Sequence, residues 1–251
     1  LKVSVILTLY GREVASRRAL ACLLRQTHPP EQIVIVDDEN GGWAEAEVAK
    51  DPRLLYFPFR PRGGAWRACN LAVNAAWPSV TGDYIILTCG DMLVPTFAVE
   101  RHLAAQVGDL RTTPTVYGLD ENTTMRLGVP AEDEQGHWAL PDYQDWVDHE
   151  KFNNLPGFWQ WPSISTAPNE GVLKADGIWY ASAKAWRHHV WFSGNTRAGW
   201  EFFGPPLIPS DDLGADELGM HKNECGYPGG RRPLTDCGYA IYHQFHIPGG
   251  R

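Results

Sequence analysis

Val3–Leu9 is a continuous β-rich run, the pattern of a strand buried on both faces of a parallel sheet. From Glu13 to Gln26, Leu20, Leu23 and Leu24 recur at helical spacing among arginines, and the helix is predicted to stop before the turn signal His28-Pro29-Pro30. Ile33–Val36 reads as a second buried strand, closed by Asp37-Asp38-Glu39-Asn40-Gly41-Gly42. Leu54–Phe57 follows as a third strand, Gly64–Trp77 as a helix and Tyr84–Leu87 as a fourth strand. A polar turn and a helix opening near Pro95, a favoured first-turn residue, come next. Strand–helix alternation of this kind predicts a doubly wound, mostly parallel α/β sheet flanked by helices.

The pattern changes near Arg111. Residues 111–175 are rich in Pro, Gly, Asn, Asp and Trp and show no convincing periodic segment. Such a stretch in a compact domain is usually functional or disordered, and its tryptophans favour order. Beyond it, Ile178–Ala181 reads as a strand, Ala183–His189 as a helix and Tyr239–Phe245 as the last strand.

Composition narrows the function classes. With 251 residues, 43% of them hydrophobic, the chain can bury a sizeable core. No apolar run approaches the roughly 18–20 residues that span a bilayer, and the first segment lacks the form of a signal peptide. A soluble cytoplasmic protein is expected. The net charge of −8 argues against a general nucleic-acid binder, which needs a basic surface, but not against a small anionic ligand. The 5 cysteines form no CxxC pair, so free thiols are expected rather than a zinc knuckle or disulfide framework. Dehydrogenase, P-loop and zincin readings fail for want of GxGxxG, GxxxxGK[ST] and HExxH.

In open α/β sheets ligands bind outside the carboxyl ends of the strands. Three polar clusters fall there: Thr8-Leu9-Tyr10, Asp37-Asp38 and Thr88-Cys89-Gly90-Asp91. A carboxylate at Asp37 or Asp38 suits the imide N–H of uracil, and Tyr10 suits stacking on a base. Acidic residues after a strand also cap helices, so it is the coincidence of three clusters that points to a ligand.

Several stretches together resemble the family 2 glycosyltransferases of the GT-A fold. The run Val3-Ser4-Val5-Ile6-Leu7-Thr8-Leu9-Tyr10-Gly11-Arg12 is similar to their opening strand. Leu20 through Gln26-Thr27-His28-Pro29 resembles their first helix end, and Ile33–Asp38 their second strand. Arg67-Ala68-Cys69-Asn70 with Gly82-Asp83-Tyr84-Ile85-Ile86-Leu87 completes a likeness that runs from Leu1 to about Val107. The resemblance implies a nucleotide-sugar-binding half over residues 1–110 and an acceptor-binding half of the same domain over 111–251. Thr8, Tyr10, Asp37 and Asp38 would then hold the nucleotide, and Arg67 would approach the diphosphate.

The family normally follows its fourth strand with a D-x-D or D-D motif that coordinates Mg²⁺ or Mn²⁺. Here the turn is Thr88-Cys89-Gly90-Asp91, and Asp91 is its one carboxylate. Tyr242-His243-Gln244 resembles the ending of GT-A enzymes related to chondroitin polymerase and polypeptide N-acetylgalactosaminyltransferase, in which a histidine completes the metal shell. His243 is thus expected to join Asp91, and imidazole suits Mn²⁺ better than Mg²⁺. Gly214-Ala215-Asp216-Glu217-Leu218 resembles the family's acceptor-site motif, which makes Asp216 or Glu217 the candidate general base, with Asp211-Asp212 a rival pair. Trp200 and Glu201 lie where related enzymes place an acceptor-binding aromatic.

These expectations describe a transferase moving a sugar from a nucleotide-diphosphate sugar, preferably UDP-linked, to a hydroxyl of a glycan or similar acceptor. Polysaccharide assembly is the family-level pathway. Two alternatives remain: an inactive glycan-binding protein derived from a transferase, and a sugar nucleotidyltransferase.

Overall fold

Neighbouring residues of the central strands pack into different cores, which is why the strands are apolar without interruption. A computed structural model describes residues 1–37, 42–59, 73, 75–119, 121–130, 144–148, 159–160, 173–175, 178–180, 192–202 and 233–244. Its elements run β1 (Val3–Leu9), α1 (Glu13–Leu24), β2 (Gln32–Asp37), α2 (Trp43–Val48), β3 (Leu54–Pro58), β4 (Tyr84–Cys89), β5 (Met92–Leu93) and α3 (Ala98–Ala105). They continue with β6 (Arg111–Gly118), α4 (Glu121–Arg126), α5 (Gln144–Asp148), β7 (Trp159–Gln160), β8 (Leu173–Ala175), β9 (Ile178–Tyr180), β10 (Phe192–Thr196), α6 (Arg197–Phe202) and β11 (Pro233–His243).

Val3, Val5, Leu7, Ile33, Ile35, Tyr84 and Ile86 share one core with Leu20, Cys22 and Leu23 of α1. Ile6, Val34, Val36, Ile85 and Leu87 face the other way, into a second core with Val73, Ala76 and Trp200. This is the alternation of a pleated sheet covered on both sides. Each fully buried Val, Leu or Ile contributes about 1.5–3 kcal/mol, so β1, β2 and β4 anchor the fold.

The strands form one sheet in the order β3-β2-β1-β4-β10-β6-β11-β9-β8, with β5 attached to β11 and β7 to β6. The first four strands pair in parallel, as the pattern predicts. Beyond β4 the sheet is mixed: β10 runs antiparallel between β4 and β6, and β6 and β11 are parallel again. The result is an α/β sheet with helices on its faces, consistent with the GT-A fold.

Sequence and structure part at β6. Arg111–Gly118 lies in the stretch expected to lack regular structure, yet it forms a strand deep in the sheet. Its periodicity is hidden because threonines fill buried positions. Thr112 Oγ1–H donates to Gly194 O at 3.0 Å, and the same oxygen lies 2.7 Å from His102 Nδ1 and against the Tyr84 hydroxyl. The last strand begins at Pro233 rather than Tyr239 and ends at His243. The expected helix over residues 183–189 lies outside the described residues; of Gly64–Trp77, Val73 and Ala75–Ala76 are helical and Trp77 opens a 3₁₀ turn. Cys22, Cys89 and Cys237 are free thiols. Among the described residues no helix is long and apolar enough to cross a membrane.

Burial makes His102 a pH-sensitive element of the core. Desolvation lowers its pKa from 6.5 to about 3. Below the unfolded value of 6.5 the unfolded chain takes up a proton that the folded chain refuses. Stability is therefore full above that value and declines as pH falls toward about 3. From pH 7.5 to pH 5 this one group should remove about 2 kcal/mol. Urea unfolding at the two pH values should show His102→Gln losing less stability than wild type by about that amount. An identical pH dependence would refute the assignment.

Candidate functional site

Parallel register sets the ends of β1, β2 and β4 side by side. Thr8 stands opposite Val36 and Cys89, and Leu9 opposite Asp37. Tyr10, Asp37 and the Cys89–Asp91 turn therefore emerge at one edge of the sheet, where this architecture binds ligands. The turn is pinned to β1: Gly90 N–H donates to Thr8 O at 2.9 Å, and Thr8 Oγ1–H donates to Thr88 O at 3.3 Å. A Cβ on Gly90 would stand 2.6 Å from Ser16 Oγ and 2.9 Å from Leu9 Cδ2. A larger residue would have to push these two side chains aside for the turn to fit between β1 and α1.

The far end of the chain is laid against the same turn. β11 pairs antiparallel with β5, placing His243 opposite Met92. One residue on, Gln244 N–H donates to Asp91 O at 2.9 Å, while Leu119 N–H donates to His243 O at 2.9 Å. The Gln244 side chain is buried and tied to α1. Arg18 Nη1–H donates to Gln244 Oε1 at 2.9 Å, and Gln244 Nε2–H donates to Ala15 O at 3.2 Å. The same guanidinium donates from Nε to Gly128 O at 2.9 Å and from Nη2 to Leu127 O at 2.6 Å. A buried arginine with acceptors for all of these donors is a rigid brace, and it fixes the end of β11.

Asp91, only 7% exposed, is where these elements converge. Its Oδ2 lies 3.3 Å from His243 Nε2 and 3.3 Å from Arg12 Nη1, and Cys89 Sγ–H donates to its Oδ1 at 2.7 Å. The Arg12 guanidinium also lies 5.9 Å from the centre of the Tyr10 ring. Asp91 and His243 suit a divalent ion. Their facing oxygen and nitrogen are 3.3 Å apart, close to the roughly 3 Å between neighbouring ligands of an ion with bonds of about 2.1 Å. Among the described residues no three His, Cys, Asp or Glu side chains form a ready cage. An ion here would draw its remaining ligands from water or from an incoming anion.

The other sequence candidates divide into three groups. Thr8 and Tyr10 stand at the edge beside Asp91, and Asp37 at the end of the next strand, buried, with Tyr56 O–H donating to its Oδ2 at 3.0 Å. Asp38, Arg67, Asp216, Glu217 and the rival Asp211-Asp212 lie outside the described residues. Trp200 is corrected: it is 2% exposed, packs in the second core, donates its Nε1–H to Ile85 O at 3.2 Å and carries the Arg111 guanidinium 4.4 Å from its ring. A ring enclosed in this way cannot stack on an acceptor. Glu201 follows it on α6, its side chain outside the described set.

The sequence reading assigns no role to Arg12 or Arg18. A signal existed for Arg12, a basic residue directly after a strand end at the ligand-binding edge. None separates Arg18, which is buried, from its neighbour Arg17, which pairs with Glu13 and Glu47.

The packing of Gly90 gives a direct test of how the edge is built. Gly90→Ala should cost about 1–3 kcal/mol by overpacking against Ser16 and Leu9, read by urea denaturation. A variant as stable as wild type would show that the turn has room to move.

Residues 4–123 match the family described as Glycosyl transferase family 2. Among curated proteins, none matches the chain. The matched segment contains β1 to β6, the Cys89–Asp91 turn and the ends of the parallel strands. The match supports a family 2 glycosyltransferase-like domain over residues 4–123, and with it glycosyl transfer in general.

Proposed function

We propose that the chain transfers a sugar from a nucleoside-diphosphate sugar, by preference a uridine nucleotide, to a hydroxyl of a glycan or similar acceptor, with Mn²⁺ or Mg²⁺ bound at Asp91 and His243. The observation that carries this reading is the 3.3 Å approach of those two side chains, one from each half of the sequence, at the carboxyl edge of the parallel strands.

On this reading Tyr10 lies against the base, Asp37 or Asp38 accepts from its imide N–H, and Arg67 meets the diphosphate. Transfer breaks the bond between the sugar and the diphosphate oxygen, so negative charge grows on the departing group. A bound divalent ion supplies Lewis-acid stabilisation of that charge. Leu9, Met92 and Tyr242 are buried in the first core next to the site, an apolar backing that strengthens electrostatic interactions there. Asp216 or Glu217 takes the acceptor hydroxyl proton, within hydrogen-bond reach of it. With Trp200 in the core, Glu201 remains the acceptor-side candidate from this helix.

Titration calorimetry with UDP tests the reading. Mn²⁺ should tighten binding by about tenfold or more, a coupling of the usual allosteric size. Asp91→Ala and His243→Ala should each abolish the Mn²⁺-dependent gain. Equal affinity for UDP with and without Mn²⁺ would overturn the metal assignment. Binding of a glycan with no affinity for any nucleotide would identify a binding protein instead.

A further inference from the structure

Arg12 is the only non-glycine among the described residues with a left-handed backbone, at φ 54 and ψ 50. Gly11 before it has φ 54 as well, so the chain leaves β1 through two left-handed residues before α1 begins. A side chain in this region is strained, and such positions persist where the surrounding structure holds them. The consequence here is placement of a guanidinium at the ligand edge. Its Nη1 meets Asp91 Oδ2 at 3.3 Å, a long ion pair between side chains that are 20% and 10% exposed. Its Nε is buried and has no hydrogen-bond acceptor among the described residues.

Asp91 Oδ2 is shared between Arg12 and His243. An ion held by His243 and Asp91 would compete with the guanidinium for this oxygen. Two like charges would then stand within a few ångströms of each other and repel. A diphosphate reverses that relation. Its oxygens bind both cations, and a guanidinium fork fits phosphate in two-donor geometry, which would also occupy the buried Nε.

We propose that Arg12 is the resident counter-ion of the metal site, opposing a free divalent ion and cooperating with the same ion once a diphosphate is present. This deepens, and rests on, the donor-binding reading given above. The coupling between Arg12 and the metal changes sign with the nucleotide, so the site favours the metal–diphosphate complex over either part alone.

Free Mn²⁺ is counted by its electron paramagnetic resonance signal, with purified full-length chain, with and without UDP. In Arg12→Gln, affinity for Mn²⁺ alone should rise by about threefold to tenfold, while affinity for UDP in the presence of Mn²⁺ should fall by tenfold or more. Arg12→Lys keeps the charge without the fork: Mn²⁺ affinity should stay near wild type while UDP binding still weakens. Circular dichroism melting confirms that both variants fold; if Arg12→Gln does not, Arg12→Lys carries the UDP comparison, and unweakened binding there overturns the proposal. Two affinities moving in the same direction, or an unchanged affinity for Mn²⁺ alone in folded Arg12→Gln, also overturns it. Failure of the wild type to bind UDP would refute the donor assignment separately, because the arm with Mn²⁺ alone reads Arg12 without any nucleotide.

Discussion

The short antiparallel pairing of β5 with the end of β11 is the contact on which the site depends. It joins Met92 to His243 and Leu93 to Tyr242, and the adjacent Gln244 N–H closes on Asp91 O. Side chains that face each other across a ladder are held to a fraction of an ångström by backbone hydrogen bonds. Without that pairing His243 would be a histidine at the end of a strand, with no reason to meet a carboxylate from the other half of the sequence. The cost of ordering a long loop rises only with the logarithm of its length, so a connection of this span is thermodynamically tolerable once β6 and β11 are paired.

Around that contact the protein uses rigid parts. Gly90 wedges the turn between β1 and α1, Arg18 braces Gln244 through a buried guanidinium, and Thr8 accepts from the turn backbone. Each of these acts on the position of Asp91 or His243 without being one of the two facing donors. On the proposed reading, donors held this way would stand near the right spacing before an ion arrives, which would lower the ordering cost of binding.

How much of this could be read from residues alone follows from what hides a pattern. β1, β2 and β4 are legible because covering both faces of a parallel strand demands an apolar run, and the run is visible as letters. The convergence of Thr8, Tyr10 and Asp91 follows from the same strands, since parallel register fixes which ends lie together. β6 is invisible because Thr112 and Thr113 are buried with their hydroxyls bonded inside the protein, so the core there is written in polar residues. Trp200 misleads for the opposite reason. An indole beside a charged residue looks like a sugar platform, yet the same large apolar ring is what a helix uses to seal the second face of the sheet. Arg18 carries no mark at all: its burial depends on carbonyls at Leu127 and Gly128 that only tertiary structure brings near.

Charge balance connects the altered turn to Arg12. In the resembled D-x-D pattern two carboxylates flank one residue, whereas Cys89-Gly90-Asp91 holds one carboxylate and a thiol that donates to it. A second carboxylate at this depth would leave an empty site with uncompensated negative charge, which a low-dielectric setting penalises heavily. With one carboxylate and one guanidinium the pair is neutral and stable without an ion. The thiol substitution and the left-handed arginine are thus two halves of one arrangement: the first removes an anion, the second neutralises the anion that remains. On the proposed reading such a site would give up affinity for a bare cation and keep a guanidinium ready for phosphate oxygens. A fold that bound a metal only together with an anionic ligand would need both features, and here both meet at Asp91, the thiol 2.7 Å from Oδ1 and the guanidinium 3.3 Å from Oδ2.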